Sequence, residues 1–225
     1  MLALLSNPLT LVAWAVIAGL CVAVLVRDLR GSNRGMMPVM KLVWTLTVAY
    51  SGPVGLAGYY WAGRRQIPED TLARRGFRSV AHCYSGCGAG EIVGVMIAAG
   101  LLSLGNWWIA GITFALAYVA GYALSAVPLV QGGEALGTAL WDALVSETAS
   151  ITVMEVTALG VDLWLSASAS FSDPLFWSSL IISLSAGLAA AYPVNVILVR
   201  TGIKEGMHDP RQMAGGHSHS TGAAG

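Results

Sequence analysis

The chain has 225 residues, 56% of them hydrophobic and 11% charged, with a mean hydropathy of +0.67. A soluble domain carries about 25% charged residues, so this composition excludes an ordinary soluble domain and indicates an integral membrane protein. Its formal net charge of zero offers no field to draw nucleic acid, and its three cysteines make no disulfide framework.

Residues 9–26 form the first apolar run, close to the roughly 20 residues that cross a bilayer. No Lys or Arg precedes it, which favours a retained span over a cleaved signal peptide. Cys21 lies alone within it and reads as a small buried hydrophobe. A basic connection follows, with Arg27, Arg30, Arg34 and Lys41. The second run, 42–63, has Trp44 at one end and Tyr59, Tyr60 and Trp61 at the other, which suit interfacial anchors. Gly52-Pro53 in its middle predicts a kink at Pro53. The loop 64–81 is the most basic, with Arg64, Arg65, Arg74, Arg75 and Arg78. Spans are then expected at 82–104, 107–130, 136–165 and 175–200, the last with Pro193 and Asn195 near its end. The fold class expected is therefore all-α, a polytopic membrane bundle of about six helices over residues 1–206. Residues 207–225 read as a flexible tail, whose Met207, His208, Met213, His217 and His219 are thin evidence for copper capture.

Lys and Arg near span ends set orientation. With six spans and both termini inside, eight basic residues lie inside and Arg27, Arg30, Arg34 and Lys41 lie outside. If 42–63 is instead a re-entrant hairpin broken at Gly52-Pro53, all twelve lie inside and the amino terminus lies outside. Both arrangements leave the carboxy terminus cytoplasmic, in a cell inner membrane.

Two constellations could carry chemistry. At about 100° per residue, Cys83, Cys87 and Glu91 share one helical stripe, while His82, Gly86, Gly90 and Gly94 form the next. Thiolate and imidazole suit soft or borderline ions, so His82, Cys83, Cys87 and Glu91 are candidate metal ligands. The competing reading is that both cysteines are small residues packed beside glycines. In the fifth span Glu147, Met154, Glu155 and Asp162 fall within about 100° of one face. An acid at a helix centre costs about 2.5–3.5 kcal/mol, so these residues suggest an ion path or second site, or else a polar seam with Ser150 and Thr152. Pro193 marks a structural kink, and Asn195 could bridge to a neighbouring span.

The blocks Pro38-Val39-Met40-Lys41-Leu42-Val43-Trp44, Tyr50-Ser51-Gly52-Pro53, His82-Cys83 with Gly86 and Gly90, Asp173-Pro174-Leu175-Phe176-Trp177, Ala191-Tyr192-Pro193-Val194-Asn195 and Gly202-Ile203-Lys204-Glu205-Gly206-Met207 resemble a prokaryotic family of small integral membrane proteins known as a domain of unknown function. The resemblance implies a multi-spanning fold and no established activity. In that family the position of Cys87 is often Asp and that of Glu91 often apolar, so His82-Cys83 transfers better than the full cluster.

The function expected is binding or transport of a metal ion, copper before others, through the His/Cys site and the acidic face. The alternatives are a non-catalytic accessory subunit of a membrane complex and a membrane thiol-disulfide redox protein. Expected partners are the lipid bilayer and a further copy or complex partner, with no nucleic acid. No nucleotide loop, serine nucleophile or zinc-protease motif is present, which disfavours an enzyme.

Overall fold

The computed structural model describes residues 2–166, 169–204, 206–207 and 209–212, and all regular structure among them is helical. A short α1 (Leu2–Leu5) leads into α2 (Pro8–Arg30). Asn7 caps α2 by accepting the Leu9 N–H at 2.9 Å, and Pro8 sits in the first turn, where its missing N–H costs nothing. Arg27 and Arg30 occupy the last turn, where the helix dipole favours cations. Apart from Ala18, Leu25 and Leu29, α2 is largely exposed, a surface suited to lipid.

The run 42–63 does not form one helix. It divides into α3 (Pro38–Ser51), α4 (Pro53–Gly58) and a π-helical turn, Tyr59–Gly63. The break is Gly52, at φ +54, followed by Pro53, which cannot continue the α3 hydrogen-bond ladder. The chain reverses there. Trp44 packs edge-on to Tyr59 at 5.4 Å, and the Trp44 indole closes on Gly63, leaving no room for a Cβ. A continuous helix would hold residues 44 and 63 about 28 Å apart. Tyr59 Oη donates to Asp28 at 2.7 Å, Arg64 lies 3.3 Å from the same carboxylate, and the Arg65 N–H donates to Asn33. Both ends of the segment therefore sit beside the end of α2, making a helical hairpin. Of the two arrangements open to the sequence, the hairpin broken at Gly52-Pro53 is the one whose backbone path the structure has. Its physical reason is that Gly52-Pro53 permits a reversal as well as a kink.

The remaining long helices are α5 (Leu72–Val95), extended by a π-helical segment Met96–Leu101, then α6 (Asn106–Gln131), α7 (Leu136–Ser166) and α8 (Pro174–Arg200). With α2 they make, among the described residues, five helices long and apolar enough to cross a membrane, against the six spans expected. The difference is the hairpin. Helix α8 runs through Pro193 without interruption. Beyond it, Met207 and residues 209–212 fold back over the bundle end: Pro210 is buried, and Arg211 donates to the Pro68 carbonyl at 3.3 Å. Asp209 there is held below the usual carboxylate range, chiefly by hydrogen bonds from the Arg211 guanidinium. The tail residues His208, Met213, His217 and His219 lie outside the described residues.

This path brings all twelve Lys and Arg residues to one end of the bundle. The opposite end gathers α1, residues 102–105 and residues 169–173, and the Ser178 hydroxyl donates to the Leu5 carbonyl there at 2.9 Å.

Candidate functional site

Helix α5 is the hub, buried along nearly all of its length from Gly76 to Val95. Its glycine stripe explains how. A Cβ on Gly86 would meet the Gly121 Cα at 3.0 Å, one on Gly90 would enter the Leu116 carbonyl, and one on Gly94 would meet the Thr113 Cα at 2.7 Å. Small residues let two backbones approach in this way where lipid supplies no hydrophobic drive. On the far side of the bundle Gly187 of α8 closes on the Met154 carbonyl of α7 in the same manner. These contacts hold α5–α8 tightly enough to exclude lipid from their common axis. Every polar group on that axis must then find a partner within the protein.

The partners form a column. At the basic end Arg78, 0% exposed, reaches Asp70 at 2.7 Å and the Ala62 carbonyl at 3.1 Å. Beside it the chain leaves α8, turns at Gly202 (φ +74), and returns Lys204 to the interior. The Lys204 ammonium lies 2.5 Å from Glu147 and 3.0 Å from Asn195 Oδ1, with side chains only 2% and 3% exposed for the ion pair. Ser125 donates to the second Glu147 oxygen at 3.0 Å. Asn195 bridges three helices: it accepts from Ser79 at 2.9 Å and donates to Ser150 at 2.5 Å. The Ser150 hydroxyl reaches Cys83 Sγ at 3.5 Å, Cys83 and Cys87 Sγ are 4.0 Å apart, and Cys87 hydrogen-bonds the Glu155 carboxyl. Glu155 lies close enough to Glu91 for their charges to interact, and Glu91 and Asp162 both line a small cavity at the opposite end. Asp162 accepts from Ser179 at 2.6 Å and Ser166 at 3.1 Å.

The candidate ligands do not converge on one point. Cys83 and Cys87 are buried free thiols at bridging separation. His82 lies on the other stripe, buried, with Nδ1 unpartnered and with Glu147 and Lys204 as its charged neighbours. Glu91 sits beside the cavity shared with Asp162. Met154 is in the apolar cluster with both cysteines. Among the described residues no three of His, Cys, Asp and Glu are arranged to hold one metal ion. Lys204 was not among the residues singled out by the sequence. It lies beyond the apolar run and reads there as an ordinary inside-flanking charge, and the only local signal of its return is the glycine two residues before it.

Together α5–α8 define a class: a polytopic helical bundle with the dimensions and apolar surface of a membrane protein, built around a buried acid, thiol and amide column. The family match covers this unit. Residues 73–204, more than half of the chain, match the family described as Domain of unknown function (DUF4396), and the chain belongs to it. The resemblance blocks at 38–53 lie before the matched segment. No curated protein and no solved structure matches the chain.

Proposed function

We propose that this protein moves protons across the membrane, using Glu147, Glu155, Glu91 and Asp162 as successive resting points. The observation that supports it is a run of polar contacts from Lys204 through Asn195, Ser150 and the two thiols to Glu155, with Glu91 and Asp162 beyond it around one small cavity. Ser150, Asn195 and the two thiols fill the gap between Glu147 and Glu155 with groups that accept or donate. Glu155 is the pivot: it is buried near the middle of α7, and its Oε1 has no hydrogen-bond partner. An acid in the interior of a span is expensive to keep there without a role.

The test is a proton-flux assay on purified protein in liposomes under an imposed potential. Wild type is expected to acidify the lumen faster than empty vesicles, with Glu155→Gln reduced to the empty-vesicle level. Wild-type flux equal to that of empty vesicles would overturn the proposal. Full flux in Glu155→Gln would reduce the column to helix-joining hydrogen bonds, the accessory-subunit reading.

A second reading rests on the sulfur separation. Two thiols 4.0 Å apart, on losing their protons, would suit one soft ion such as Cu(I). The residues fit such a group only in part, because His82 and Glu91 stand apart from the pair. Cys83 and Cys87 would hold the ion, and the ion would supply a positive charge beside Glu155. Copper retained by purified wild type and lost in Cys83→Ser would favour this reading.

Orientation follows from charge. With all twelve basic residues at one end, that end belongs in the cytoplasm and the amino terminus outside. A single cysteine placed at the exposed Ser6 is expected to react with a membrane-impermeant maleimide from the outer face of intact spheroplasts. Protection there, with labelling only after lysis, would reverse the orientation.

A further inference from the structure

We propose that the cavity between Glu91 and Asp162, at the end of the bundle opposite the arginines, is a binding site for a small hard cation of the Na⁺, Mg²⁺ or Ca²⁺ class. The cavity is about 40 Å³ and lies among α5, α6, α7 and the start of α8. About 10–15 Å³ of such space admits one water, so the cavity fits an ion with a water or two. It is far below the roughly 300–1,000 Å³ of sites for drug-sized molecules.

The carboxylates, hydroxyls and Asn106 amide that line it all have oxygen to offer a cation. Glu91 is 8% exposed, lines the cavity, and has Oε2 buried without a hydrogen-bond partner. Asp162, half-buried, also lines the cavity. Thr113 spends its single O–H on the Ile109 carbonyl at 2.9 Å or the Ala110 carbonyl at 3.0 Å, and Ser166 spends its own on Asp162. With their protons committed, both hydroxyls turn lone pairs outward, which suits a cation and not an anion. Gly94 makes this lining possible, since only a residue without Cβ lets α6 bring Thr113 so near to α5.

Charge points the same way. Glu91 and Asp162 bring two carboxyl groups to one small space, and the protein sends no Lys or Arg to that end. An unpaired buried carboxylate is costly, and a bound cation neutralises it. Oxygen donors without sulfur or imidazole select hard ions over copper or zinc. The site therefore differs in chemistry from the Cys83–Cys87 pair, and it stands whether or not protons move along the column.

The test is thermal unfolding of the full-length protein in detergent, followed by tryptophan fluorescence. Choline chloride is compared with NaCl, MgCl₂ and CaCl₂ at equal ionic strength. At least one metal cation is expected to raise Tm by several degrees over choline, and both Asp162→Asn and Glu91→Gln are expected to abolish that rise. Asp173→Asn, at the exposed loop nearby, should keep it. Equal Tm in choline and in all three metal salts would overturn the site, as would an undiminished rise in Asp162→Asn. Should Glu91→Gln fail to fold, direct calorimetric titration of the stabilising ion into wild type and into Asp162→Asn decides: heat in the first and none in the second supports the site, while none in either overturns it. These readouts involve no proton flux, so the site and the proton path fail separately.

Discussion

Lys204→Met is expected to destabilise the folded protein by about 3–5 kcal/mol, the usual result of removing one partner from a buried ion pair. The loss comes from what stays behind. With the ammonium gone, Glu147 keeps only Ser125, and Asn195 Oδ1 keeps only Ser79. Removing both charges together should recover much of the loss, so Lys204→Met with Glu147→Gln is expected to be more stable than Lys204→Met alone. Unfolding in denaturant, with monodispersity in detergent as a second readout, checks both. A Lys204→Met protein as stable as wild type would show that the pair is not buried as described. The Arg211–Asp209 pair provides a contrast. Its arginine side chain is 42% exposed, so Arg211→Ala should leave stability nearly unchanged and should matter less at high salt.

Gly90→Leu should be the most damaging change at any glycine of the hub. The atoms in its way are backbone, the Leu116 carbonyl and the Ala117 Cα, and backbone cannot step aside as a flexible side chain can. Helices α5 and α6 would have to part along the face where Gly86 and Gly94 also touch. Overfilling of this kind costs about 1–3 kcal/mol for small additions and more for large ones, so a graded series is informative. Gly90→Ala should weaken the protein measurably and Gly90→Leu should prevent recovery of folded material. Gly111→Ala and Gly137→Ala, which meet nothing within 4 Å, should be neutral or slightly stabilising. Equal tolerance at residues 90 and 111 would contradict the close helix contact.

Several features were legible from local pattern because their cause is local. Helical periodicity put Cys83 and Cys87 on one stripe and the glycines on the next, and α5 uses those stripes against α7 and α6 respectively. Asn195, polar near the end of an apolar run, does bridge to neighbouring helices. Periodicity could not show that Glu91 turns toward Asp162 while Cys87 turns toward Glu155, because that depends on how far α7 slides along α5. Lys204 was hidden for a different reason. A lysine after a span normally lies in water, and only the tertiary return of the chain at Gly202 buries it. The hairpin was visible as an alternative, since Gly52-Pro53 permits either a kink or a reversal. What decides between them is remote: Asp28 holding Tyr59 and Arg64, and Ser85 of α5 donating to the Val43 carbonyl at 2.8 Å.

That dependence sets an order on biogenesis. Helix α3 has 14 residues, about 21 Å of rise, too short for a hydrocarbon core about 30 Å thick. As the nascent chain emerges, α2 can enter the bilayer alone, but residues 38–63 cannot hold a transmembrane position. The surfaces that seat them, Phe77 against Trp44 and Ser85 against Thr47, belong to a helix that has not yet emerged. The hairpin therefore waits at the interface and docks after α5 is in place. A chain truncated after residue 66 and released into the membrane should expose a hairpin that proteases cut, with α2 already protected.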